Sequence, residues 1–309
     1  NIQYLMVDKP EGYSATEVEQ VSEEASQVED PEPAGEPEQL PTIIAVMNES
    51  FTDLGAVGED TLFLSQDNLS FLHSLQESGE VIWGTAYSSV YGGNTCNSEY
   101  EFLTGNTTAF LPTGSKPYQQ YVDHDQTSLV SLLKDTYGYT CTAIHPGQAS
   151  AWDRETAYEY LGFDEFIDRT KFDVDRELKR GLTTDMSSYQ QVIYEYEHRD
   201  EDTPLFLFNV TIQNHGGYED EDYETTVRVA NASGKYPQTE QYLSLIQESD
   251  QALEYLVEYF SQQEDPVVIL FFGDHWPNLE EGFLSLLLGE DSNALSFENV
   301  MREYEVPFL

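Results

Sequence analysis

Basic residues are scarce in this 309-residue chain: 13 Lys and Arg stand against 58 Asp and Glu, a formal net charge of −45. That imbalance excludes nucleic acid as a partner, because no basic patch is available to neutralise phosphates. It also opposes anionic lipid head groups, so an anionic substrate needs a bound divalent cation or a local Arg or Lys to reverse the field inside a cleft. Most of the acids read as a solvated surface that promotes solubility. Cysteine is scarcer still. Cys96 and Cys141 are the only two, which gives neither a disulfide framework nor a metal-site spacing. No apolar run reaches the about 18 residues of a membrane span, no signal peptide is visible, and no internal repeat recurs.

The chain is long enough to bury a substantial core. Residues 1–40 are set apart by 11 acids, one lysine and several prolines. They read as an acidic connector, extended for the most part, with a short capped helix beginning near Thr16. From Thr42 onward strand and helix patterns take turns. The runs 41–47 and 266–272 are continuously apolar, as expected of strands buried on both faces of a helix-covered parallel sheet. Further strands are expected over 81–87, 139–145, 204–211 and, more briefly, within 162–168. Helices are expected in the second half of 61–76 and over 128–136, 154–161, 187–198 and 238–262. This alternation predicts an α/β fold, an α/β/α sandwich with a mainly parallel central sheet.

Ligands of such sheets bind beyond the carboxyl ends of the strands. Two of the apolar runs stop there on chemistry: Asn48-Glu49-Ser50 follows the first and Gly273-Asp274-His275 the second. A third segment, Gly92-Gly93-Asn94-Thr95, precedes a helix expected over 97–103 and ended by Gly105, with Asn94 or Thr95 as its cap. Thr95 is thereby expected at a helix N-terminus, where free N–H groups and the helix dipole favour an anion.

Together these motifs resemble the extracellular catalytic domain of the lipoteichoic acid synthase family, phosphoglycerol transferases of the alkaline phosphatase and sulfatase superfamily. The resemblance runs from about Pro41 to the end through Asn-Glu-Ser, Gly-Gly-x-Thr, Trp-x-Arg (152–154), Asn-His (214–215) and Gly-Asp-His, in the family's order. It implies a single metal site of Glu49, Thr95, Asp274 and His275, two hard carboxylates with an imidazole and an alkoxide. That set suits Mn²⁺ or Mg²⁺, with Zn²⁺ as an alternative because of the histidine. It implies Thr95 as nucleophile and His215, His145, Trp152 and Arg154 as substrate-binding residues: an arginine fork matches phosphate oxygens and an indole covers a glycerol face. Between His145 and Trp152 the chain departs from the synthases, since the Gly147-Gln148 stretch lacks the acid they place against glycerol. The sulfatase Cys-x-Pro-Ser-Arg motif is absent too; here the residues after Thr95 read Cys96-Asn97-Ser98-Glu99-Tyr100.

The resemblance further implies a glycerophospholipid donor such as phosphatidylglycerol and a hydroxyl acceptor on a polymer, glycolipid or glycan. It implies a membrane anchor preceding Asn1, residues 1–40 as the connector to it, and work on the outer face of the bacterial membrane. Residues 306–309 are expected in or beside the sheet, with a further family segment following them near Asp274. Two alternatives stay open at this stage: a hydrolase with water as acceptor, and a catalytically silent binding domain.

Overall fold

A computed structural model describes residues 12–27 and 39–309. The expected connector over 1–40 lies largely outside the described residues. Its described part contains α1 (Ala15–Ala25), whose N-cap Ser14 accepts from Glu17 N and which buries no residue.

The strands are β1 (Thr42–Asn48), β2 (Gly84–Tyr87), β3 (Thr140–His145), β4 (Glu165–Asp168), β5 (Leu178–Lys179), β6 (Leu182–Thr183), β7 (Leu205–Val210), β8 (Val267–Gly273) and β9 (Glu305–Phe308). Seven of them form one sheet in the order β2-β9-β8-β1-β7-β3-β4, and β5 and β6 form a separate hairpin. From β8 to β4 every pairing is parallel, whereas β9 runs antiparallel to both β8 and β2. The expected mainly parallel sheet is therefore present. The end of the chain is part of it: Leu309 and Phe271 exchange backbone bonds of 2.9 and 2.8 Å. The strand expected over 81–87 forms only in its second half, with Ile82 and Trp83 exposed.

Alternate residues of the central strands feed two cores. Ile44, Val46, Leu205, Leu207 and Phe271 pack on one side, against α3 (Ser70–Ser78), α8 (Asp185–Glu197) and α9 (Pro237–Phe260). Ala45, Met47, Cys141, Phe206 and Phe208 pack on the other, among residues of α4 (Thr95–Thr104), α5 (Pro117–Gln120), α6 (Leu129–Tyr137) and α7 (Arg154–Tyr160). Shorter helices are α2 (Leu54–Val57), α10 (Phe283–Leu288) and α11 (Phe297–Arg302). None of the helices among the described residues is long and apolar enough to cross a membrane.

Register positions the chemistry. Asn48 at the end of β1 pairs with Gly273 at the end of β8, so Glu49 and Asp274 leave the sheet side by side. A side chain at 273 is impossible without movement, since a Cβ there would lie 2.0 Å from the Phe51 carbonyl oxygen. His145 ends β3 and residues 211–215 follow β7, which brings four strand ends to one edge of the sheet.

Candidate active site

At that edge Glu49, Asp274 and His275 are all buried, and one potential ligand atom from each lies within 4.8 Å of the others. Asp274 Oδ1 accepts from the backbone of Ser50 (2.6 Å) and of His275 (2.8 Å). Its Oδ2 has no hydrogen-bond donor while the imidazole is neutral, and lies 3.2 Å from His275 Nε2. His275 Nδ1 donates to the Trp276 carbonyl at 2.8 Å, which fixes the ring and turns Nε2 toward the two carboxylates, 3.8 Å from Glu49 Oε1. Burial, opposed by the charge of His275 and reinforced by that of Glu49, pushes the Asp274 pKa up to about 7. Burial pulls His275 down, but Asp274 and Glu49 outweigh it and the net shift is upward. An unanswered buried carboxylate oxygen, a second acid and an imidazole with its far nitrogen already bonded fit a hard divalent cation.

Thr95 is the first residue of α4, and its hydroxyl lies 3.4 Å from Glu49 Oε2 and 3.5 Å from His275 Nε2. Asn94 precedes it in the left-handed conformation (φ 72°) and does not cap through its side chain. That side chain instead accepts from Lys116 Nζ. Cys96 and Cys141 are free and buried, and burial pushes both thiols up to about 12, which leaves neither as a nucleophile.

Glu49, Thr95 and His275 open onto a cleft of about 430 Å³, which His145, Trp152 and His215 also line. His145 is buried and donates from Nδ1 to the Val210 carbonyl at 2.9 Å; burial and then the Arg154 charge hold it well below the usual histidine range, so the ring is neutral. Its Nε2 lies 2.3 Å from where a Cβ on Gly147 would be, so residue 147 can carry no side chain while that ring keeps its place. Trp152 and Asp153 are both left-handed (φ 59° and 62°). Two consecutive non-glycine residues in that region carry strain of about 1–2 kcal/mol each. The half-buried indole packs against the second core and also lines the cleft. His215 is exposed and lines the same cleft.

Arg154 lines the cleft too, but its fork is engaged. Nε bonds Glu99 Oε1 and Oε2 at 3.0 and 3.2 Å, Nη2 is also on Glu99, and Tyr158 donates to the same carboxylate at 2.7 Å. The free edge is Nη1, whose contact is the Ala151 carbonyl at 3.5 Å. An arginine offering a whole fork to phosphate, as the motif suggested, is thus replaced by one offering a single edge.

Sequence reasoning missed the supports. Asn48 donates to Asp185 (2.7 Å) and accepts from Asn214 (3.0 Å), and Ser249 bonds both Asp185 and Asn214. This buried network ties the ends of β1 and β7 to α8 and α9. It also missed Lys116, whose ammonium stands 5.5 Å from the Trp152 ring centroid. Neither carries a local signal, since the partners lie far apart in sequence.

Residues 41–309 match the model of the family described as Sulfatase. A protein of Rhizobium meliloti (strain 1021) named for cyclic beta-1,2-glucan modification is 32% identical over 292 residues, 92% of this chain and 42% of its own length. The lipoteichoic acid synthase of Staphylococcus saprophyticus is 27% identical over 219 residues, 68% of this chain and 32% of its own. This chain therefore spans less than half the length of these relatives. Among solved structures, the Streptococcus pyogenes phosphoglycerol transferase GacH, in complex with sn-glycerol-1-phosphate, has the same fold, with a TM-score of 0.75 at 22% identity over 98% of this chain and 76% of that one.

Proposed function

The chain belongs to the sulfatase family, as a lipoteichoic acid synthase-like domain of the alkaline phosphatase superfamily, and from that premise we propose that it is a metal-dependent phosphoglycerol transferase with Thr95 as nucleophile. The observation that carries this reading is the clustering of Thr95 with Glu49, Asp274 and His275, of which Thr95, Glu49 and His275 line one cleft and Asp274 lies behind them with its Oδ2 unpaired. Glu49, Asp274 and His275 would hold one divalent cation, Mn²⁺ or Mg²⁺ before Zn²⁺, with Thr95 as the fourth ligand. When bound, that ion supplies positive charge for the phosphoryl oxygens and lowers the pKa of the threonine hydroxyl.

The donor is a glycerophospholipid of the phosphatidylglycerol kind. The bond from Thr95 Oγ1 to phosphorus forms as the bond to the diacylglycerol oxygen breaks, and diacylglycerol leaves with a proton. His215, at the cleft mouth, contacts the phosphoryl group or the leaving oxygen. Trp152 covers the glycerol face, the free edge of Arg154 reaches a phosphate oxygen, and neutral His145 accepts a hydroxyl. In the second half the bond from an acceptor hydroxyl oxygen to phosphorus forms as the Thr95 Oγ1–phosphorus bond breaks, and the proton lost by the acceptor balances the one Thr95 regains. A glycan acceptor is favoured over a growing polyanion by the net charge of −45 and by the relative named for glucan modification. The domain works outside the membrane, with residues 1–40 linking it to an anchor.

The test is incubation with phosphatidylglycerol labelled in its head-group glycerol, Mn²⁺ and a neutral glucan. Diacylglycerol and labelled glucan are expected from wild type, and neither from Thr95→Ala, whose melting temperature should stay within a few degrees of wild type. Free glycerophosphate in place of labelled glucan would mean hydrolysis. Activity of Thr95→Ala equal to wild type would rule the nucleophile out, and an inert wild type that retains no metal would leave a binding domain.

A further inference from the structure

The tip of the β5–β6 hairpin is Arg180-Gly181, both left-handed, with φ of 54° and 76°. Asparagine or glycine fits the first position of such a two-residue turn, whereas arginine carries a steric penalty there. Its side chain supplies a reason for the choice. Nη2 donates to the carbonyls of His215 (2.8 Å), Gly216 (3.2 Å) and Gly217 (3.0 Å), and Nη1 reaches that of Gln213 (3.4 Å). The guanidinium also lies 5.0 Å over the ring of Tyr218. In a chain with 58 acids, this cation makes no ion pair among the described residues; both its Nη groups bond one backbone loop, and Nε is buried without a partner.

The two ends of this strut differ in stiffness. The hairpin is bound to the start of α8, where Glu177 N donates to Ser187 Oγ at 2.9 Å, Thr184 N donates to the Glu177 carbonyl at 3.0 Å and Thr184 caps the helix. Residues 215–217 are exposed, and two of the three are glycine, the residue with the most backbone freedom to lose. His215 and Tyr218, at the ends of that loop, both line the cleft. We propose that Arg180 is a positioning residue: it fixes the 213–218 loop and so holds His215 toward the phosphoryl group of the donor. This rests on the role given to His215 in the proposed function.

The test is a double-mutant cycle on diacylglycerol release combined with hydrogen exchange. Arg180→Ala should lower kcat/KM roughly tenfold to a hundredfold, the scale of a misplaced contact group. Arg180→Lys, with one point charge for the fork, should recover part of the loss. In a His215→Ala background the same Arg180→Ala change should cost about twofold or less, because residues acting through one another are not additive. Amides of 213–218 should exchange faster in Arg180→Ala while those of α8 stay as in wild type. Equal losses in both backgrounds, or unchanged exchange over 213–218, would overturn the proposal. Arg180→Lys gives the same comparisons where Arg180→Ala does not fold. An inert wild type would sink the functional reading, and exchange would still decide whether Arg180 holds the loop.

Discussion

Asp274 divides its two oxygens between the fold and the chemistry. Oδ1 is bonded to the backbone of Ser50 and His275, and Oδ2 faces His275 Nε2 with no donor of its own. Asp274→Asn can keep the first oxygen and replaces the second with an amide, removing one negative charge beside Glu49. Affinity for Mn²⁺ should fall at least about tenfold, since ligand-shell changes cost that much or more. The metal-free variant should melt at or above the wild-type temperature, because the burial cost of the carboxylate and its repulsion from Glu49 together outweigh the attraction to His275 that is also lost. Titration calorimetry and thermal melts check both halves; unchanged Mn²⁺ affinity would remove Asp274 from the ligand set. Residues of this kind were legible because they close apolar runs. The partner of Arg154 was not: Glu99 lies 55 positions away, and its ion pair exists only once α4 and α7 pack together.

Among the secondary-structure elements, α3 is clamped to the loop that leaves the site. His73 on α3 bonds Asp53 from Nε2 (2.9 Å) and Asp67 from Nδ1 (3.0 Å). Asp53 also caps α2 through Ala56 N, and Asp250 of α9 accepts from the backbone of Phe71 and Leu72 at the start of α3. The hydrogen bond to Asp53, against burial and with help from Asp67, raises the His73 pKa to about 9. The unfolded value is about 6.5, so the folded state binds this proton more tightly. The clamp's contribution is therefore fully present below about pH 6.5 and is lost as pH rises through about 9. Urea midpoints of wild type and His73→Gln should differ at pH 6 and converge above about pH 9.5; a gap that widens with pH would show that the clamp does not depend on the imidazolium. Pattern alone indicated a helix in this region and not its clamp. It also overextended the strand over 81–87, because β2 is an edge strand paired only with β9, over residues 84–87, and nothing local marks where a partner ends.

For the whole molecule, a charge of −45 acts on any anionic donor before contact. Repulsion of this sign weakens as salt shortens the Debye length, from about 30 Å at 0.01 M to about 10 Å at 0.1 M. KM for vesicles of an anionic phosphoglycerol donor should therefore fall over that range while kcat holds steady, opposite to an enzyme that attracts its substrate. Steady-state rates across a salt series decide it, and a KM that rises with salt would place a dominant positive field at the cleft.

By itself the sequence determined the alternation of strand and helix, the mainly parallel sheet and the residues that end its strands, because unbroken apolar runs and the polar groups that stop them are local properties of the chain. The inclusion of residues 306–309 in the sheet was expected from the family resemblance and from their apolar character, and the structure pairs them with β2 and β8. Only the tertiary structure decided that Asn48 lies opposite Gly273, that the Arg154 fork is spent on Glu99, and that Arg180 grips the loop carrying His215. Those relations are set by strand register and by which helix ends meet, and neither is encoded within any stretch short enough to read as a pattern.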